Sequence, residues 1–554
     1  MPLSHLLGMP KYARYQKVVK LPPDKTGIMP NRRIVLISDT HISSGTNSNF
    51  NCVMFRKGLE EISQIPDVDY IIHLGDLTHD GTYMEYEIAL DMIRKINSEK
   101  FFIIPGNHDS RNVGYLLFEE LLGKRTFEIE EPHLYILGVD SSIPDQNTGR
   151  IGSQALKYSE KVFYDHEDQI KIFAFHHQLI PIPYTGRERS AIYDAGDALE
   201  MALRTNVDLI LNGHRHISNV YTCSNGFGDL VIFNSGTLSA NKTRYRELFS
   251  YTVLDLEEKF AKFMTKKLMD GNYIERRRFL HQHFLPYSIS QKSPQISLPT
   301  QKPIAKIVHA GNAHFGKTLF LPHIFEHAIR QINDYKPDMF IFTGSLTGGN
   351  IPDEYLVAKT MLQEIKSPQF IIPGFKDLTK YGWDRFEKFI GEVDPRYEND
   401  CFRILGLNTV DPHISNGSVG RRRMKEITDY FSSQTDSKIN ILAMNHRLIP
   451  SPKLKFEQIL EDSGSALKNF TNPENNIHLI LMGKNNVGFS LQLEETVLSF
   501  TGTLSSIQTV KPQIHSFNKI EIFPDHSLRV YEQIIETDQT RLLGHFWQSS
   551  VGKK

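Results

Sequence analysis

Short apolar runs alternate with longer stretches in which apolar positions recur at helical spacing. Residues 34–37, 70–72, 101–104, 170–175 and 209–211 read as buried strands. Between them, residues 83–96 and 191–204 carry the patterning of amphipathic helices. This alternation predicts an α/β fold. From 229 to 267 the pattern turns mainly strand-like, with runs at 231–233 and 251–254, and predicts a meander joined to the same domain.

The pattern then breaks. Residues 284–302 carry Pro286, Pro294 and Pro299 among serines and glutamines, without periodicity, and read as a linker. Beyond it the chain begins again. Tyr70-Ile-Ile-His-Leu-Gly-Asp-Leu-Thr78 has a counterpart in Met339-Phe-Ile-Phe-Thr-Gly-Ser-Leu-Thr347, and Phe102-Ile-Ile-Pro-Gly106 in Phe370-Ile-Ile-Pro-Gly374. Phe175-His-His-Gln-Leu-Ile-Pro181 recurs as Met444-Asn-His-Arg-Leu-Ile-Pro450. Leu209-Ile-Leu-Asn-Gly213 recurs as Leu479-Ile-Leu-Met-Gly483, and Ser235-Gly-Thr-Leu-Ser239 as Thr501-Gly-Thr-Leu-Ser505. The pairs keep their order and lie about 270 positions apart, so a duplicated domain is the economical reading. The expected organisation is an N-terminal extension (1–33), a first domain (34–283), the linker (284–302) and a second copy (303–554).

Composition narrows the function classes. Across 554 residues, 63 Lys and Arg balance 64 Asp and Glu, so the basic excess of a duplex-binding protein is absent. The runs at 276–278 and 421–423 read as solvated arginine faces rather than nucleic-acid tracks. Three distant cysteines, Cys52, Cys223 and Cys401, make neither a disulfide framework nor a four-cysteine zinc site. No run has the length of a membrane span or a signal core, and a cytoplasmic location is expected.

The 23 histidines, by contrast, are placed pointedly. In the first copy, successive strands run into Asp39-Thr-His41, Gly75-Asp76, Gly106-Asn-His-Asp109, His176-His177 and Gly213-His-Arg-His216. Strand carboxyl ends in an α/β sheet share one edge, so these segments converge. Carboxylate, imidazole and amide donors without thiolate suit Mn²⁺, Fe or Zn²⁺.

This ordered series resembles that of the calcineurin-like metallophosphoesterases, and most nearly the class III cyclic-nucleotide phosphodiesterase branch. The resemblance spans residues 34 to 216. It implies a four-layer α/β/β/α sandwich, here in two tandem copies, holding two divalent ions. Asp39, His41, Asp76 and His216 would hold one ion, and Asp76, Asn107, His176 and His214 the other, with Asp76 bridging. A shared water, as hydroxide, would attack phosphorus. His108 would donate to the leaving oxygen, and Asp109 would orient His108 by a hydrogen bond. His176 is favoured over His177 because a ligand directly follows the strand. Asp80 reads as a turn carboxylate. Arg187 and Arg189, in Thr185-Gly-Arg-Glu-Arg-Ser190, are candidate substrate-binding residues beside the alternative of a solvated loop.

At the matching places the second copy has Asn312, Ser345, Phe375, Asn445, Lys484 and Asn486, with Lys376 for His108; His314 alone still matches a ligand imidazole. It reads as a metal-free pseudo-enzyme in which an ammonium near the vacated site satisfies leftover carbonyls and Asp377. Its expected uses are packing on the first domain, shaping substrate access or binding a partner. The expected function is dimetal hydrolysis of a phosphoester substrate, first of all a phosphodiester. The alternatives are a nuclease or phosphomonoesterase and, from another class, a metal-stabilised interaction scaffold.

Overall fold

The structure is a computed structural model. It describes residues 18–20, 31–45, 48–96, 99–185, 191–244, 247–257, 260–269, 271–280, 301–316, 318–379, 382–411, 413–453, 459–507, 509 and 514–547. Arg187 and Arg189, most of the expected linker and most of the N-terminal extension lie outside the described residues. Two compact units divide the chain. The first comprises Met1–Thr185, Ser190–Thr222 and Gly228–Phe284, and the second is mainly Leu285–Lys554.

In the first unit, strands β1 (Val18–Lys20), β5 (Phe127–Glu131), β6 (Leu134–Gly138), β7 (Ile170–Ala174), β8 (Leu209–Asn212), β10 (Asp229–Asn234) and β9 (Asn219–Ser224) lie side by side in that order. A second sheet has the order β13 (Tyr273–Phe279), β12 (Phe260–Lys267), β11 (Ser250–Glu257), β2 (Arg32–Ile37), β3 (Tyr70–His73) and β4 (Phe101–Ile103). Strands β2, β3 and β4 run parallel, as do β6, β7, β8 and β10. The β11–β13 meander is antiparallel to β2.

Alternate residues of these strands build two apolar layers. Ile34, Leu36, Ile72 and Phe102 of one sheet pack against Phe127, Ile136, Ile172 and Leu211 of the other. The opposite face of β2–β4, with Val35, Ile37, Ile71 and Ile103, is covered by helices α1 (Ser48–Ser63), α2 (Tyr83–Ile93) and α3 (Gly114–Leu121). On the other sheet, Phe163 of α4 (Ser153–Asp165) meets the ring of Phe173, and α5 (Ala195–Arg204) follows β7. Each fully buried Leu, Ile or Phe contributes roughly 1.5–3 kcal/mol, so these layers dominate the stability of the unit. The first unit is thus a mixed α/β sandwich.

Expected and observed elements differ at their ends. Strand β2 starts at Arg32, two residues before the expected domain start, because Arg32 still pairs with Leu256. The helix expected from residue 191 starts at Ala195. The preceding residues bond elsewhere, with Ile192 N donating to Gln178 O and the Asp194 carboxylate accepting from Ile151 N and Gly152 N. Nor is the arginine run 276–278 simply solvated. Arg276 donates to Ser218 Oγ at 2.9 Å, and Arg277 lies over the Phe260 ring. Arg422 is exposed, whereas Arg423 pairs with Asp394 at 2.7 Å.

The second unit also has two sheets. One has the order β16 (Gln369–Ile371), β15 (Met339–Phe342), β14 (Ala305–Ala310), β23 (Ser516–Ile522), β24 (Leu528–Ile534) and β25 (Thr540–Phe546). The other runs β21 (Phe489–Leu493), β22 (Thr496–Phe500), β20 (Leu479–Met482), β19 (Ile439–Met444), β18 (Phe402–Leu407) and β17 (Arg396–Glu398). Ile307, Ile341, Ile441, Leu481 and Val530 share the layer between them. Among the described residues, no helix is long and apolar enough to cross a membrane.

Candidate metal centre

Strands β2, β3, β4, β7 and β8 deliver their carboxyl-terminal turns to one edge, and these turns are tight. Asp39, His41, Asp76, His214 and His216 all take left-handed backbone, with φ of 54°, 46°, 57°, 75° and 58°. Such a conformation costs a non-glycine residue of order 1 kcal/mol or more and persists only where the surroundings enforce it. Here the turns hold one another. Asp39 N donates to Gly75 O, His41 N to Asp76 O, and His214 N to Asp39 Oδ2, each at 3.0 Å. The Ser235–Ser239 motif closes the frame, with Thr237 Oγ1 donating to Asp39 O at 2.7 Å and Ser239 Oγ to Thr40 O at 2.8 Å. Gly106 leaves room for the centre, since a Cβ there would lie 2.1 Å from Asp76 Oδ1.

The side chains form two groups, Asp39 with His41 and His216, and Asp76 with His176 and His214; within each, the potential ligand atoms lie within 4.8 Å of one another. Asp39 Oδ1 is 3.2 Å from His216 Nε2 and 3.8 Å from His41 Nε2. Asp76 Oδ2 stands between the groups, 3.5 Å from His41 Nε2 and 3.3 Å from His176 Nε2. Asn107 Oδ1 completes the second group, 3.2 Å from His176 Nε2 and 3.0 Å from His214 Nδ1. All seven predicted ligands therefore meet at one place.

The arrangement fits two cations. Backbone carbonyls engage the outer ring nitrogens, Leu74 O for His176 Nδ1 at 2.7 Å and Lys242 O for His216 Nδ1 at 2.5 Å. That makes Nε2 the inward-facing nitrogen of each ring, a lone pair whenever the ring is neutral. Asp39 Oδ1 is buried with no hydrogen-bond donor. Burial pushes both carboxyls toward protonation, yet His216 beside Asp39 and His176 beside Asp76 hold them well below the ordinary carboxylate range. Burial pushes His176 down, but Asp76 outweighs it and raises the imidazole to about 9. Two buried carboxylates thus demand positive charge, which oxygen and nitrogen donors without sulfur can meet with a hard or borderline dication.

The neighbouring residues separate by role. His177 is not in either group; its Nδ1 is 2.9 Å from Ser141 Oγ and its ring lies against that of His214. His108 N donates to Asp76 Oδ1 at 2.8 Å, and its Nδ1 donates to His79 O at 2.7 Å. Burial pushes the His108 imidazole down to about 3, leaving it neutral. Asp109 does not orient it. The Asp109 carboxylate accepts from Gly106 N at 2.9 Å, Leu77 N at 3.1 Å, and Thr78 N and Oγ1 at 2.8 Å each. Its oxygens are directed at the turns carrying Asp76 and Asn107. Asp80 is a turn carboxylate paired with Arg111. His73, His79 and Arg111 escaped the sequence reading. His73 accepts from Gly75 N at 3.2 Å, while His79 and Arg111 stand beside His108. Nothing in the spacing of these three pointed to the centre.

The calcineurin-like phosphoesterase family matches residues 32–218, an interval containing every one of these ligands. Residues 32–218 form a calcineurin-like phosphoesterase domain. The family is one of metal-dependent phosphoesterases, in keeping with the donor set. The phosphoesterase domain is similar to a probable glycerophosphodiester phosphodiesterase, GpdQ, of Arcobacter nitrofigilis, 31% identical over 159 residues. That match covers 27% of this chain and 58% of the relative, so the chain spans little more than half of that protein. A probable cyclic nucleotide phosphodiesterase of Vesicomyosocius okutanii is 28% identical over 194 residues, covering 34% of this chain and 79% of the relative. Among solved structures, purple acid phosphatase PPD1 from yellow lupin matches with a TM-score of 0.36 and 17% identity, over 46% of this chain and 54% of that one.

Proposed function

We propose that the first unit is a dimetal phosphoesterase acting first of all on phosphodiesters. The observation that carries this reading is the Asp76 carboxylate, whose Oδ2 lies within 3.5 Å of an imidazole of each group. Asp39, His41, Asp76 and His216 hold one ion, and Asp76, Asn107, His176 and His214 the other. The ions, when bound, acidify water and neutralise charge on the phosphoryl oxygens. The chain's own residues then set the geometry. His41 and His216 turn their Nε2 atoms to Asp39, His176 and Asn107 complete the opposite side, and Asp109 keeps the two intervening turns in register. His108, anchored through its Nδ1 hydrogen on His79 O, presents an unprotonated Nε2 at the mouth. The donor role toward the leaving oxygen requires that this nitrogen first take up a proton. The names of the relatives support the diester preference.

The second unit reads as a degenerate copy of the first, with the boundary in 284–302. Its sheet order and its motif pairs support this, and so does the parallel between two buried carboxylates. Asp377 accepts from Leu346 N, Thr347 N, Thr347 Oγ1 and Gly374 N, as Asp109 does from Leu77, Thr78 and Gly106. Asp377 is thus held by backbone and Thr347 rather than by a lysine, while Lys484 does donate to a carbonyl, Ser415 O. Asn445 Nδ2 donates to Thr343 O at 2.7 Å, in the manner of His176 Nδ1 on Leu74 O. Ser345, Phe375, Lys484 and Asn486 offer no equivalent donors for dications.

The test is metal content and turnover of the full chain reconstituted with Mn²⁺, Fe or Zn²⁺, assayed on diester and monoester substrates. Two ions per chain and hydrolysis are expected. Asp76→Asn should lose metal and at least 10³-fold in rate, since one change weakens both positions. A metal-free wild type, or an Asp76→Asn variant at full rate, would overturn the proposal. Four ions per chain would remove the degenerate reading of the second unit.

A further inference from the structure

A third group of imidazoles differs from the two above. His41, His79 and His108 offer ring nitrogens within 4.8 Å of one another, but the group contains no carboxylate. A guanidinium faces it instead, with Arg111 Nη2 3.1 Å from His108 Nε2. A carbonyl only accepts, so the contact with His79 O places the hydrogen on His108 Nδ1 and leaves Nε2 as the acceptor for Arg111. A dication here would meet a fixed positive charge and an engaged nitrogen. The third group is built for an anion.

The guanidinium is also aimed. Arg111 Nη1 donates to Asp80 Oδ1 at 3.0 Å and to His79 O at 3.1 Å, which fixes the plane and turns Nη2 toward His108. The Arg111 side chain keeps 28% of its surface exposed, so the cation is reachable from solution at the edge of the centre. In the second unit, the residue two positions after Asp377 is Thr379, whose Oγ1 donates to Lys376 O.

We propose that Arg111 is a substrate-binding residue that donates from Nη2 to a non-bridging phosphoryl oxygen, with Asp80 as its positioning residue. The inference rests on the phosphoesterase reading and adds a determinant of substrate class to it. A monoester phosphate carries about two negative charges near neutral pH and a diester one, so the same guanidinium gains more from the monoester. Arg111 therefore sets how well monoesters compete with diesters.

The experiment uses the Mn²⁺-reconstituted full chain as wild type, Arg111→Ala, Arg111→Lys and Asp80→Asn. Steady-state kinetics on bis(p-nitrophenyl) phosphate and p-nitrophenyl phosphate accompany calorimetric binding of inorganic phosphate. Arg111→Ala should raise the phosphate Kd and both KM values about 10- to 100-fold, more for the monoester, with a smaller change in kcat. Arg111→Lys should recover part of this, Asp80→Asn should move the same quantities less, and metal content should stay at the wild-type value. Phosphate binding by Arg111→Ala or Arg111→Lys within twofold of wild type would overturn the proposal, and so would a wild type that binds no phosphate. Arg111-dependent phosphate binding by a wild type that hydrolyses neither ester would sustain Arg111 as an anion site and overturn the phosphoesterase reading instead.

Discussion

Asp109 sits beside His108 in sequence but serves other residues in space. Its two oxygens take four hydrogen bonds from Gly106, Leu77 and Thr78, and burial together with the Asp76 charge raises its carboxyl to about 6. Asp109→Asn would keep one acceptor oxygen and turn an NH₂ toward backbone N–H groups. We expect it to cost about 2–4 kcal/mol, seen as a lower melting temperature, and to weaken metal binding at both positions. Retained stability with slower turnover alone would instead return Asp109 to a role on His108. The convergence of the seven candidate ligands was legible because they form an ordered series at strand ends. Arg111 and His79 were not, since contacts made across two turns have no fixed spacing. Adjacency in sequence misled for Asp109, whose backbone at a tight turn points the side chain back into the frame.

At the level of elements, the apolar runs located the strands because both faces of β2, β3, β7 and β8 are buried and leave little ambiguity of period. Their ends were less legible. Strand β3 continues through His73, a polar residue, because the ladder to Ile37 continues. Elements are also tied by charges that no period reveals. Glu247, in the connection between β10 and β11, accepts from Ser218 N at 2.6 Å beside Arg276 of β13. Burial raises its carboxyl from 4.5 to about 7. The folded state therefore favours the protonated form. Stability from this group is complete below about pH 4.5 and falls as pH rises to about 7, by on the order of 2–3 kcal/mol. Glu247→Gln keeps an acceptor for Ser218 N and removes the titration. Its melting temperature relative to wild type should rise between pH 5 and pH 8, and a constant difference would refute the assignment.

For the whole molecule, two compact units each enclose their own apolar layers, and the metal-ligand groups found among the described residues all lie in the first. Removing dications with a chelator leaves Asp39 and Asp76 buried among imidazoles, a costly state for two carboxylates. A ligand that binds only the folded form stabilises it by RT ln(1 + [L]/Kd), about 2.7 kcal/mol at a hundredfold excess over Kd. Chelation should therefore lower the melting temperature of the wild type by several degrees, and of Asp76→Asn by much less. Equal shifts in both would show that the chelator acts away from the centre.

The left-handed turns have one more consequence. Asn312, His314 and Lys484 of the second unit have φ of 57°, 55° and 48°, the conformation of Asp39, His41 and His214, although of the three only His314 still offers the same donor. On the duplication reading, the scaffold has outlived its chemistry. The way back is then short in evolutionary terms. Exchanges at Asn312, Ser345, Phe375, Asn445, Lys484 and Asn486 would restore the donor types, but Ser345 and Asn486, at the places of Asp76 and His216, no longer have left-handed backbone and would have to bend as well. Selection or design acting on the second unit begins from a template bent to shape at three of five turns.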